Sequence, residues 1–212
     1  MKLICNPLLL VLPAIAFVTS DALAQGPYRY TDLGDLGGGE AAAFGLNDGG
    51  EVVGWSSISG CTTSAGGPCR RAFHWKDGVM TDLGILAGDE ESTARAINDL
   101  GQVVGTSESG IVAGSGTYHA VTWNGMGPVA LPHLGGGTSS FAHDINDAGW
   151  IAGHATDPSV PGDRAVVWQA GLPINVGATE PHTYNRAYGI NEQGHLAGFA
   201  WDLFSPNDAV LF

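Results

Sequence analysis

The chain has 212 residues, 44% of them hydrophobic, and a formal net charge of −13. An acidic balance of that size excludes nucleic acid and anionic membrane as natural partners, because like charges repel. The apolar content and the regularly recurring tryptophans exclude a disordered, low-complexity chain.

The first segment reads "MKLICNPLLLVLPAIAFVTSDALAQG": one lysine, an apolar run from Leu8 to Val18, then Ala22-Leu23-Ala24 before Gln25. That order predicts a secretory signal peptide over residues 1–24, cleaved after Ala24. The run contains Pro13 and falls short of the roughly 20 apolar residues that cross a bilayer, so no membrane span is expected. Cleavage removes one lysine and one aspartate and leaves the net charge unchanged. The expectation is an exported protein, secreted, periplasmic or on the cell surface, with residues 25–212 as a single domain.

The domain repeats. "LNDGGEVVG", "INDLGQVVG", "INDAGWIAG" and "INEQGHLAG" are anchored at Asn47, Asn98, Asn146 and Asn191, in steps of 51, 48 and 45 residues. Around each anchor lie four strand-like runs, rich in β-branched and aromatic residues and punctuated by Gly, Asn, Asp or Pro. In chain order they are "YRYTDLG" (28–34), "AAAFGL" (41–46), "EVVGWS" (51–56) and "RAFHW" (71–75) in the first unit. The second unit has "VMTDLG" (79–84), "STARAI" (92–97), "QVVGTS" (102–107) and "HAVTW" (119–123). The third has "VALPHLG" (129–135), "SFAHDI" (140–145), "WIAGHA" (150–155) and "RAVVW" (164–168). The fourth has "LPINVG" (172–177), "NRAYGI" (185–190), "HLAGFA" (195–200) and "DAVLF" (208–212).

The Asn-[Asp/Glu]-x-Gly segment is a hairpin signature, in which Asn caps the turn and Gly takes the left-handed position. Four strands per unit at this period is the pattern of a β-propeller blade. The predicted fold is therefore all-β: a propeller of four blades, each of four antiparallel strands. Elsewhere the last strand of one unit and the first of the next are joined as a hairpin. The chain supplies the two halves of one such hairpin from opposite termini, so pairing 28–34 with 208–212 is expected to close the ring and remove open edges. A closed ring makes a monomer the expected state; an open solenoid, a sandwich and a ring shared by two chains are the rivals. The second strand of each unit is expected innermost, because alanine stands four residues before every anchor (Ala43, Ala94, Ala142, Ala187) and small residues suit close approach.

The order "TDLG-x-L-G-G … IND-x-G-x-VVG … [RH]A-[FV]-x-W" over residues 28–212 resembles the HAF family of predicted extracellular repeat proteins of bacteria. No unit carries the literal HAF tripeptide, "RAF" (71–73) and "HAV" (119–121) coming nearest, and the fourth unit lacks both "DLG" and the closing tryptophan. The resemblance implies export and a repeat fold. It implies no reaction, ligand or catalytic residue.

Cys61 and Cys69 bracket "TTSAGGP" and are expected to pair as a disulfide in an oxidising compartment, since no further pair at zinc spacing stands nearby. Nucleophile elbow, H-E-x-x-H and phosphate-loop motifs are absent, so no catalytic residue, metal set or cofactor is assigned. His74, His119 and His195 occupy repeat positions and read as packed or rim residues; Trp75, Trp123 and Trp168 share one repeat position and read as blade packing.

Positions that disagree between repeats are not fixed by the blade. Three residues before the anchors stand Phe44, Arg95, His143 and Tyr188, and two before stand Gly45, Ala96, Asp144 and Gly189. Arg95, His143, Asp144 and Tyr188 are therefore candidate ligand-binding residues near a central channel. Trp55 and Trp201, which break the repeat, are candidates at an exposed aromatic patch. The long connections, with the Cys61–Cys69 loop and the acidic run Asp89-Glu90-Glu91, form the other candidate surface. The expected function is a binding or interaction module for a protein or glycan. A polysaccharide-active hydrolase or lyase at the channel mouth and a structural envelope component are the alternatives. Convergence of Arg95, His143 and Tyr188 around a histidine of shifted pKa favours the enzyme, and an exposed aromatic patch favours the binder.

Overall fold

Each Asn-[Asp/Glu]-x-Gly segment folds as the tight turn its residues dictate. Asn98 Oδ1 accepts the Gln102 N–H at 2.9 Å, the Gly101 N–H reaches the Asn98 carbonyl at 3.0 Å, and Gly101 takes φ +75°. The same geometry recurs at Asn47, Asn146 and Asn191. The computed structural model describes residues 29–110, 116–159, 162–177, 184–202 and 208–212; the expected signal peptide lies outside the described residues.

The turns join strands that build four antiparallel sheets in chain order. Sheet one holds β1 (Gly37–Leu46), β2 (Val52–Thr62), β3 (Pro68–Lys76) and β4 (Val79–Asp82). Sheet two holds β5 (Glu91–Ile97), β6 (Val103–Ser109), β7 (Thr117–Trp123) and β8 (Pro128–Ala130). Sheet three holds β9 (Ser140–Ile145), β10 (Ile151–Thr156), β11 (Asp163–Gln169) and β12 (Leu172–Asn175). Sheet four holds β13 (Tyr184–Ile190), β14 (Leu196–Trp201) and β15 (Asp208–Leu211). Among the described residues there is no helix, and the chain divides by contacts between Asp32 and Leu33, with all four sheets in the second part.

The sheets stack face to face, and three apolar layers hold them. Val53 and Ala72 of sheet one pack with Ala94, Ile97, Val121 and Trp123 of sheet two. Val104 and Ala120 of sheet two pack with Ala142, Ile145, Val166 and Trp168 of sheet three. Ala152 and Ala165 of sheet three pack with Ala187, Ile190 and Leu196 of sheet four. The expected packing tryptophans Trp123 and Trp168 are fully buried, and the Trp168 indole N–H donates to the Pro132 carbonyl at 2.9 Å; Trp75 of sheet one is only half-buried.

The anchors also tie sheet to sheet. Asn47 Nδ2 donates to the Asn98 carbonyl at 3.1 Å, Asn98 Nδ2 to Asn146 at 3.0 Å, and Asn146 Nδ2 to Asn191 at 3.0 Å. Beside this ladder the N–H of Asp48 donates to Asp99 Oδ1, that of Asp99 to Asp147 Oδ1, and that of Asp147 to the Glu192 carboxylate. A third link comes from the residue six before the anchor on the inner strands: Ser92, Ser140 and Asn185 accept the N–H of Ala72, Ala120 and Ala165 in the preceding sheet. The recurring motif is thus both a turn and an inter-sheet clamp, which satisfies backbone groups buried between sheets.

The expected closure of the ring is not seen: residues 29–35 form no strand, β15 pairs with β14 alone among the described residues, and Asn191 Nδ2 meets His195 Nδ1 at 3.3 Å. The first long connection is ordered. The strands β2 and β3 extend into it, Cys61 and Cys69 are disulfide-bonded across the ladder with Cα atoms 5.4 Å apart, and a tight turn closes it between Thr63 and Gly67.

Candidate functional site

The innermost strand of every sheet carries a bulge at the same place. Ala43 pairs with Gly54 and Gly45 with Val53, which leaves Phe44 without a partner across the ladder. Arg95, His143 and Tyr188 are skipped in the same way in β5, β9 and β13. A bulge inserts one extra residue and re-aims its side chain. The glycine ending each motif permits the close approach: a Cβ on Gly54, Gly105, Gly153 or Gly198 would lie 1.9–2.0 Å from a carbonyl oxygen of the inner strand.

The four bulged residues converge on one cavity of about 460 Å³, completed by Phe141, His154 and Arg186. Every sheet contributes to its wall. Three of the residues named from sequence, Arg95, His143 and Tyr188, are therefore brought together. His143 Nε2 and His154 Nδ1 share a hydrogen bond of 3.0 Å, and the His143 ring stacks on Tyr188 with centroids 4.4 Å apart. Arg95 lies over the Phe44 ring at 4.8 Å and has no ion-pair partner among the described residues. Arg186 is bound by Nε to Asp163 Oδ2 at 2.8 Å, and its second nitrogen makes a still shorter contact to the same oxygen.

Rings continue beyond the cavity as one arc. From Trp201 the centroids run to Phe199 (4.9 Å), Tyr188 (5.4 Å), His143 (4.4 Å), His154 (5.0 Å), Phe141 (4.5 Å) and Tyr118 (4.6 Å). Trp201 thus belongs to the same surface as the cavity, and Tyr184 also stacks on it with centroids 5.1 Å apart. Trp55 does not join it: it sits in β2 with the Arg70 guanidinium 4.4 Å over its ring. Nor does Asp144. Its carboxylate accepts the N–H of Ile145 and, across the joint to sheet four, that of Ile190, each at 2.9 Å. Burial raises the Asp144 carboxyl above its ordinary range.

Burial sets the charge state of the histidine pair. Burial, reinforced by Arg95 and Arg186, lowers the His143 imidazole to about 4; burial, with His143 and Arg186 beside it, lowers His154 to about 2. Both rings are neutral near pH 7, so the pair holds no proton to give and is a weak base. The expected shift is present, but it moves the histidines away from acid–base work. A smaller cavity of about 70 Å³ shares the Arg95 and Phe141 walls and contains Glu91, Glu108 and Tyr118. Glu91 and Glu108 are cross-strand partners, burial raises the Glu91 carboxyl, and the Tyr118 hydroxyl is raised by its hydrogen bond to Glu108.

The acidic run is consumed internally. Asp89 meets His119 at 3.2 Å, Glu90 accepts the Ser64 N–H and hydroxyl at 2.9 Å, and Glu91 accepts the Arg70 N–H at 3.1 Å. The Glu90 and Glu91 bonds dock the disulfide hairpin of sheet one on sheet two, while Asp89 binds within the second unit. Among the described residues no cluster of three or more metal-ligating side chains occurs, and no helix is long and apolar enough to cross a membrane.

Sequence reasoning missed Phe141, His154 and Arg186. The signal was present: five residues before the anchors stand Ala42, Thr93, Phe141 and Arg186, and eight after stand Trp55, Thr106, His154 and Phe199. Both positions disagree between repeats as strongly as the bulged one.

No protein-family model matches the chain, and no curated protein matches it. Among solved structures the chain is similar to the β-propeller domain of the Trilobed protease from Pyrococcus furiosus, which is described as having an open velcro topology, with a TM-score of 0.53 at 9% identity. The likeness covers 76% of this chain and 49% of that one, so the chain spans about half the length of the structure it matches. Four successive antiparallel sheets, each with its first strand at the axis, together with this likeness make the fold a β-propeller type.

Proposed function

We propose that this protein is an exported recognition module of β-propeller type that binds an acidic glycan in its axial cavity. The observation that carries the reading is the convergence of four bulged residues, one from each sheet, on one concave site. The arc of rings offers flat apolar faces, which suit the C–H faces of sugar rings. Arg95, without an ion pair among the described residues, supplies a planar cation suited to a carboxylate. On a chain of net charge −13 that cation is a local exception, which selects one anionic group rather than a polyanionic surface. Export rests on the sequence of residues 1–24 and is supported by the Cys61–Cys69 disulfide, since such bonds persist in oxidising compartments. The likeness of the repeat blocks to the HAF family agrees with the same reading.

Calorimetric titration with a glucan oligomer ending in a single uronic acid and with the neutral glucan oligomer of equal length tests it. Binding of the uronate alone is expected, with at least a roughly tenfold loss in both Arg95→Ala and Tyr188→Ala. No binding of either oligomer, or binding indifferent to both substitutions, rules the site out. A glycan-cleaving reading has one observation in its favour, the Glu91 and Glu108 pair in the adjoining small cavity. Shorter products after prolonged incubation with the same uronate, abolished by Glu108→Gln, would replace binding by catalysis.

A further inference from the structure

The three internal joints share one chemistry, and among the described residues its two halves stand unpartnered at the first and fourth sheets. On the side facing the preceding sheet, each joint buries the alanine four before the anchor, and packs the aliphatic one before it, fully at Ile97 and Ile145 and partly at Ile190. Ala94, Ala142 and Ala187 are 0% exposed, and Ile97 and Ile145 are 6% and 7% exposed. In sheet one the equivalents are open: Leu46 is 68% exposed and Ala43 is exposed. On the side facing the following sheet, Val53, Val104 and Ala152 in the third strand-run and Ala72, Ala120 and Ala165 in the fourth are 0% exposed. In sheet four the equivalents Ala197 and Ala209 are exposed, and Leu211 is 76% exposed.

The clamp is likewise unsaturated at both ends, with opposite polarity. At sheet one the Asn47 carbonyl, whose counterparts on Asn98, Asn146 and Asn191 each accept a side-chain amide, accepts only the turn N–H of Gly50 among the described residues. At sheet four Asn191 Nδ2 has no following carbonyl and is turned back on His195. One end accepts and the other donates.

We propose that the open face of sheet four and the open face of sheet one mate head to tail between two copies of this chain, continuing the internal joint. The occupant follows from continuity with that joint: Leu46 replaces Ile97 or Ile145 against Ala197 of a second copy, and Asn191 Nδ2 of that copy reaches the Asn47 carbonyl. The contact is heterologous, because the two faces differ. It lacks the third link, since Ala41 stands where Ser92, Ser140 and Asn185 accept the N–H of the preceding sheet. It is therefore weaker than an internal joint and reversible. The net charge of −13 on each copy opposes approach, so added salt strengthens it.

Sedimentation velocity on the full chain over a range of concentrations and salt tests this. A mass rising with both is expected. Leu46→Asp and Ala209→Glu, both at exposed positions that leave the fold intact, each reduce association at least roughly tenfold. Mixing the two variants restores a dimer, because each retains the face the other has lost. Ala41→Ser tightens association by supplying the missing acceptor. Oxidation of a Leu46→Cys, Ala197→Cys double variant yields a cross-linked band of at least twice the chain mass that the parent chain does not form. A monomer at every concentration, failure of the mixed variants to associate, or a cross-link closed within one chain overturns the proposal; the last establishes ring closure by a single copy.

Discussion

Asn98 Nδ2 donates to the main-chain carbonyl of Asn146 at 3.0 Å, across the joint between two sheets. The same amide meets Gln102 Oε1 at 2.8 Å while Oδ1 accepts the Gln102 N–H, so one buried side chain caps its own turn and clamps the next. Removing a buried partner leaves donors and acceptors unsatisfied, at about 1–3 kcal/mol. Asn98→Ala is expected to lower the unfolding free energy by about 2–3 kcal/mol in urea titration at unchanged slope. Asn191→Ala, which caps its own turn but donates to no following sheet, loses about 1 kcal/mol. Equal losses at the two positions would mean that the inter-sheet bond adds nothing beyond the turn.

The terminal glycine of the motif makes a second, separable prediction. A Cβ at Gly153 would sit 1.9 Å from the Phe141 carbonyl oxygen, a main-chain atom that cannot step aside without displacing β9. Gly153→Ala is expected to cost about 2–3 kcal/mol through overpacking and to change the near-ultraviolet circular dichroism, because His143 and Phe141 shift with the strand. Gly171, at φ +76° with nothing near its Cβ, provides the contrast. Gly171→Ala pays only left-handed strain of about 1 kcal/mol and leaves that spectrum unchanged.

Most of this architecture was legible because it is written four times. The anchors, the alanines and the closing glycines agree between repeats, and agreement within one chain reports what every blade needs. The axial site was half legible: the bulged position disagrees and carries Arg95, His143 and Tyr188, while His154 and Arg186 lay at positions whose disagreement passed unused. Disagreement alone does not separate ligand groups from one-off joints. Asp144, Glu90 and Glu91 differ from their counterparts because each binds a neighbouring sheet, and Asp89 because it binds His119 of its own unit. Ring closure was the least legible feature, because a strand-like composition, as at 29–34, forms a strand only against a partner edge, and no strand is formed there.

The disulfide is expected to stabilise sheet one locally. Cys61 and Cys69 lie eight residues apart on paired strands, and closing so short a loop restrains the unfolded chain by about 2–3 kcal/mol. The double variant Cys61→Ser, Cys69→Ser is expected to lower stability by that amount and to raise hydrogen exchange first in 56–72, while exchange in β10 and β11 is unchanged. A uniform rise across all four sheets would show instead that the hairpin is part of one cooperative core.

Stability against pH tests the buried histidine pair. Burial makes the imidazolium costly in the folded chain, so His143 falls to about 4 and His154 to about 2, against about 6.5 when unfolded. A depressed folded value means that the unfolded chain binds the proton more readily. The contribution is complete above pH 6.5 and is lost as pH falls towards 4. For His143 alone the difference corresponds to about 3 kcal/mol. The two rings share one hydrogen bond, so a charge on either opposes a charge on the other. Carboxylates held low by partners, such as Glu51 beside Lys76 and His74, lose their contribution only below the ordinary glutamate range, which separates their window from that of the histidines. Urea unfolding from pH 7 to pH 4.5 should therefore show a fall that His154→Phe flattens, since phenylalanine keeps the stack on Phe141 and removes one site of protonation. A slope unchanged by that substitution would assign the acid sensitivity to other groups.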